Sequence, residues 1–132
     1  MEDTYRVSVR LASDTYDFNE LIPDLSKYKV IYYKKGESLT KDGSFKARAN
    51  VLIINDFCVV STINEENNTM IINRLIPLIK ELSVIDVLNL TREIYITGSI
   101  ENEQFGFIIS FELINLLAEN KYKLSFSGIS YL

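Results

Sequence analysis

Between residues 5 and 11 apolar and polar side chains alternate, with Tyr5, Val7, Val9 and Leu11 on one side and Arg6, Ser8 and Arg10 on the other. A period of two is that of a half-buried strand, so the chain is expected to open on a strand with one wet face. Asp17, followed three residues later by Glu20, forms a capping box for a short helix over residues 18–26, and Pro23 keeps that helix short. Residues 29–33 read as a second strand and residues 36–44 as a loop. Residues 45–54 and 57–63 are both rich in β-branched side chains and predict two strands joined by a hairpin at Asn55-Asp56, a weaker turn signal than Asn-Gly.

Asn67-Asn68-Thr69 opens the longest helical pattern, in which Ile71, Ile72, Leu75, Ile76, Ile79 and Leu82 form one broad apolar face. Pro77 predicts a kink in it, and Ser83 with Asp86 predicts a capped further turn through Leu88. Residues 92–100 alternate as a strand, residues 101–104 form a polar turn, and residues 105–109 form a short strand. Ser110 is placed to cap a helix over residues 111–119, with Asn120 as its left-handed stop, before a last alternating strand over residues 122–131. Strand, helix, strand at both ends hints at two related halves. Interleaved helices and strongly alternating strands predict an α+β two-layer sandwich, a mixed sheet of about five strands with helices packed on one face.

Length and composition agree with one such domain over residues 1–132: 47% of the residues are hydrophobic, 24% are charged, and the net charge is only -4. No run of apolar residues is long enough to span a membrane, and the acidic Met1-Glu2-Asp3-Thr4 is unlike a secretory signal, so a cytoplasmic protein is expected. The chain has no histidine and one cysteine, Cys58, which removes histidine-dependent triads, Cys-His dyads and intramolecular disulfides. Cys58 is expected to be a buried small hydrophobe. The five glycines, Gly36, Gly43, Gly98, Gly106 and Gly128, are too scattered to cradle a phosphate, and the acidic residues lack calcium-loop spacing. Neither a cofactor nor a metal is expected, and the chain is read as a non-enzyme.

Charge is distributed unevenly. From Lys27 to Arg48 seven basic residues face two acidic ones, a balance of +5, which leaves the remainder at -9. Tyr28, Tyr32 and Tyr33 interleave with these lysines, a pattern that suits a single-stranded nucleic acid or an acidic protein and equally a strand with its lysines outward. The overall acidity makes nucleic acid a poor partner. Lys34, Lys35 and Glu37 in the basic turn, and Glu65, Glu66, Glu101 and Glu103 in acidic turns, are the candidate partner-binding residues, because binding groups concentrate in polar loops held by a rigid sheet.

The alternating first strand, the Lys34-Lys35-Gly36-Glu37 turn, the long helix from Asn68, the alternation from Tyr95 to Ile100 and the closing helix and strand together resemble the bacterial family catalogued as domain of unknown function 4279. The resemblance covers residues 4–131. Members often carry a tryptophan in the strand after the Lys-Gly-Glu turn, and this chain has none. The resemblance implies a small intracellular α+β domain without established enzyme activity. Small acidic domains of this kind are frequent among immunity proteins, so a protein-binding module that neutralises a bacterial toxin is the first expectation. A domain that binds an anionic metabolite through its sheet face or basic segment is the alternative.

Overall fold

The computed structural model describes residues 4–20, 25, 28–60, 65–85, 89–100 and 110–130. In chain order these form strand β1 (Thr4–Ser13), a 3-10 turn (Phe18–Glu20), strands β2 (Val30–Tyr33) and β3 (Asn50–Val60), helix α1 (Glu65–Leu82), strand β4 (Thr91–Ile100), helix α2 (Phe111–Glu119) and strand β5 (Tyr122–Ser130). The strands make one mixed sheet in the order β2-β3-β1-β4-β5. All neighbours are antiparallel except β4 and β5, whose parallel pairing is bridged by α2. This is the expected α+β sandwich.

Strand β1 lies at the centre, paired with β3 on one side and β4 on the other, so its alternation fixes both faces of the sheet. Val9 stands between Ile54 and Ile94, and Leu11 opposite Leu52. With Tyr5, Val7 and Ile96 these side chains form one apolar cluster with Ile71, Leu75, Leu78, Ile79 and Leu82 of α1 and Leu113 and Leu117 of α2. Each such aliphatic side chain taken out of water contributes about 1.5–3 kcal/mol. The helices therefore cover one face only.

Several expectations change on contact with this core. The two strands read around Asn55-Asp56 are one strand, β3. Its pairing with β1 steps from Val7↔Cys58 to Val9↔Ile54, which leaves Asn55, Asp56 and Phe57 opposite Ser8 as a bulge. Both flanks find partners on the same ten-residue β1, so the chain has no need to reverse there, and no glycine is present to make a tight hairpin easy. At the other end, residues 45–49 fall outside β3, and Phe45 is exposed. On α1, Leu78 is fully buried while Ile76 is only half-buried. Leu78 follows Ile71 by seven residues, nearly two turns, and lies near the middle of the apolar stripe; Ile76 is at its flank. Pro77 points to solvent, and α1 runs past it to Leu82.

The ends of the helices follow local hydrogen bonding. Ser110 caps α2 as expected, its Oγ accepting from the Leu113 amide at 3.2 Å. Asn120 is not the left-handed residue: it keeps φ at -96°, with its amide and side chain both donating to the Leu116 carbonyl, and Lys121 turns the chain at φ 57°. Ser83 closes α1 by donating to the Lys80 carbonyl at 2.6 Å. At the 3-10 turn, Asp17 accepts from the Asn19 amide, two residues on, a simple cap in place of the Asp17–Glu20 capping box. The two ends of the chain are not equivalent halves, since β4 and β5 are neighbours whereas β3 separates β1 from β2. The rest of the helix expected over residues 18–26 falls largely outside the described residues, as do the turn through Asp86–Leu88, the polar turn at 101–104, the strand at 105–109 and the Cys58 side chain.

Truncation of Leu78 to Ala should cost about 2–5 kcal/mol, as large-to-small changes in packed cores do. Ile76→Ala should cost clearly less. Urea unfolding of both variants checks the facing of α1, and a reversed order would show that the helix is rotated.

Candidate functional site

The sheet face turned away from the helices carries Arg6, Ser8, Arg10 and Ala12 on β1, Ile31 and Tyr33 on β2, Val51 and Ile53 on β3, and Glu93 and Tyr95 on β4. Among these, Glu93 is only 8% exposed. Its carboxylate accepts from the Ser125 hydroxyl at 2.6 Å and the Tyr95 hydroxyl at 2.9 Å. Burial pushes its pKa up, but those hydrogen bonds and the charges of Lys123 and Arg10 outweigh burial and hold it below the ordinary glutamate value. Arg10 stands cross-strand from Glu93 on one side and from Ile53 on the other. An anion is thus fixed in the sheet beside a cation that also borders apolar side chains.

Residues 34–49 fold back over this face as an ordered ribbon. Lys34 to Glu37 make a tight turn in which the Glu37 amide donates to the Lys34 carbonyl and Gly36 takes φ 86°, a value that glycine adopts without strain. Beyond it the Gly36 amide donates to Ala47, the Ala47 amide to Glu37 and the Leu39 amide to Phe45, with Ser38 bridged to Lys46. At the tip, Asp42 accepts from the Ser44 hydroxyl and amide and from the Thr40 hydroxyl, which lowers its pKa to about 2. Buried Asn50 ties the base of the ribbon to the chain after β1: its Oδ1 accepts from the Lys35 amide at 2.8 Å and its Nδ2 donates to the Tyr16 carbonyl at 2.9 Å. Under the ribbon, Ala12, Ala47 and Val51 are buried outside the main core.

Ribbon and sheet border an open cleft of about 500 Å3. Its walls are apolar: Leu39, Phe45, Ala47 and Ala49 come from the ribbon, and Val51, Ile53 and the Tyr33 ring from the sheet. Three cations, Arg10, Lys46 and Arg48, complete the lining, which contains no carboxylate among the described residues. Phe45 remains 66% exposed and Leu39 48% exposed, although the ribbon that carries them is ordered. Exposed apolar side chains held over a concave, positively charged surface are a usual mark of a binding site, and the volume is that of a small-molecule pocket, typically about 300–1,000 Å3.

The described residues among those singled out from sequence lie elsewhere. Lys34 and Lys35 are exposed at the turn that begins the ribbon, and Lys35 approaches Asp14 only to 4.0 Å. The Glu37 carboxylate accepts from the Lys34 amide at 2.9 Å, so it helps close that turn. Glu65 and Glu66 are the first residues of α1, in the helical layer, where negative charge complements the helix dipole. Glu101 and Glu103 fall outside the described residues. None of the other five candidates lines the cleft. Its own cations, Arg10, Lys46 and Arg48, went unselected, though Arg10 was legible on the wet side of β1 and the other two within the basic segment. The sequence carries no signal that the ribbon folds over the sheet.

Among the described residues no three metal-ligating side chains come together, and no helix is long and apolar enough to cross a membrane. Compared with known proteins, the chain matches no family model, no curated protein and no solved structure. Function therefore has to be read from the cleft itself.

A carboxyl group with a depressed pKa stabilises the fold above its unfolded pKa and loses that contribution as pH falls through its folded value. Wild type should accordingly be more stable than Glu93→Gln at pH 7, with the gap closing as pH is lowered from about 5 to 3. Urea midpoints across this range measure it. A gap that stays constant or widens in acid would contradict the assigned environment of Glu93.

Proposed function

We propose that this chain is a small non-catalytic binding domain that holds an anionic ligand in the cleft between the ribbon and the open face of the sheet. The observation that supports this reading is the convergence of Arg10, Lys46 and Arg48 on one apolar cleft whose described lining has no carboxylate. Lysine and arginine at a solvated sheet edge normally point apart, and three gathered on a concave wall raise the local concentration of anions. The cleft is set in the sheet and in a ribbon tied by backbone hydrogen bonds, so the main chain that carries these charges is set before a ligand arrives.

A second reading, a protein-binding module that neutralises a bacterial toxin, is favoured by a different surface. The chain outside residues 27–48 has a charge balance of -9. On α2, Phe111 is 85% exposed and Ile114, one turn later, 45% exposed. Under that reading the contact face is the helical layer, so a captured partner would be released by Phe111→Ser and not by changes in the cleft.

Thermal denaturation in low salt with citrate, benzoate and AMP tests the ligand reading. At a ligand concentration about a hundredfold above Kd the fold should gain about 2.7 kcal/mol and melt several degrees higher. The Lys46→Gln/Arg48→Gln double variant should lose most of that shift, as should wild type in high salt. If no anion raises the melting temperature, or if the double variant responds equally, the cleft is not an anion site.

A further inference from the structure

The chemistry of the cleft lining narrows the ligand beyond its charge. Among the described residues the only uncharged hydrogen-bonding side chain in it is Tyr33; the remaining uncharged lining is aliphatic or aromatic. A sugar or a hydroxylated acid would bring several hydroxyl groups against a wall whose uncharged side chains, among the described residues, offer Tyr33 alone as a partner. Such a ligand would also leave Leu39 and Phe45 without apolar cover. A hydrocarbon body has neither difficulty, because it covers the apolar side chains and asks for no hydrogen bonds.

Cation placement adds a second constraint. Lys46 and Arg48 are separated by one residue just before β3, and Arg10 comes from β1 next to Ile53. The same cleft is therefore lined by three cations and by apolar or aromatic residues. A ligand that meets both carries a charge and an apolar body.

We propose that the cleft takes an amphiphilic anion, a single carboxylate on a hydrocarbon body, with the carboxylate held by Arg10, Lys46 and Arg48 and the body laid against Leu39, Phe45 and Ile53. This assignment rests on the anion-binding reading and specifies the ligand class for the same cleft. Arginine pairs a carboxylate through two parallel hydrogen bonds, which suits Arg10 and Arg48 to the head group. Two methylenes buried against the wall are enough for a tenfold gain in affinity.

Isothermal titration of the full chain with octanoate, propionate, octanol and AMP, in low salt and below the octanoate micelle concentration, tests it. Octanoate should bind at least tenfold more tightly than propionate, which has the charge without the body, and than octanol, which has the body without the charge. AMP should bind more weakly than octanoate. Phe45→Ser and Lys46→Gln/Arg48→Gln should each weaken octanoate binding severalfold, with folding checked by circular dichroism. Phe111→Ser, on exposed α2 away from the cleft, should leave it unchanged. Should propionate or AMP match octanoate, the amphiphile assignment falls and the anion site stands. Equal binding of octanol and octanoate would overturn the role of the cations, and no binding by any of the anions would overturn both readings.

Discussion

Among the described residues two helices, of eighteen and nine residues, cover one face of a five-stranded sheet, and the other face has to be made compatible with water without them. Most of the molecule follows from that asymmetry. Because β1 is central and paired along both sides, its alternation divides the protein into a layer where Val7, Val9 and Leu11 meet the helices and a layer where Arg6, Ser8 and Arg10 do not. A one-residue slip would exchange the two sets; the bulge opposite Ser8 takes up two surplus residues of β3, an even number, so Ile54 and Leu52 keep to the helical side. The open face is then stabilised by polar means. Glu93, hydrogen-bonded to Tyr95 and Ser125 and flanked by Arg10 and Lys123, is the clearest instance.

The ribbon of residues 34–49 solves part of the same problem and creates the site. Ordering some fifteen residues costs conformational entropy of about 1–2 kcal/mol each, so a surface segment this regular needs many offsetting contacts. It has them in the Lys34–Glu37 turn, in the backbone bonds that pair Gly36 with Ala47 and Leu39 with Phe45, and in the Asn50 bridge. Val51, Ala12 and Ala47 are buried beneath it, yet Phe45 and Leu39 are held out over the cleft. A ribbon selected for stability alone would turn those two side chains inward. Their exposure beside three cations is what links the architecture to binding.

Much of the fold was legible in the sequence because local patterns and global packing agree there. The alternation of β1 and β4 and the Ser110 cap of α2 each match the structure closely, as does the α+β arrangement. Disagreements arose where tertiary pairing overrides a local signal. Asn55-Asp56 looks like a turn until both flanks are seen to pair with β1; the expected apolar face of α1 takes in Ile76 and omits Leu78, whereas Leu78 is the fully buried one; Asn120 looks like a left-handed stop until its side chain is found bonded to Leu116. The cleft was the least legible feature. Arg10 is 36 residues from Lys46, and only the fold places them on one wall.

In the proposed reading the sheet supplies a floor, the ribbon an apolar wall, and three cations the preference for charge. A ligand would then enter between ribbon and open face and leave the helical layer untouched. Backbone amide shifts recorded by NMR while a saturating organic anion is added test it most directly. The account predicts changes at Arg10, Tyr33, Leu39, Lys46, Arg48 and Ile53, with α1 and α2 silent. Shifts concentrated on Phe111, Ile114 and the exposed positions of α1, or none anywhere, would contradict it.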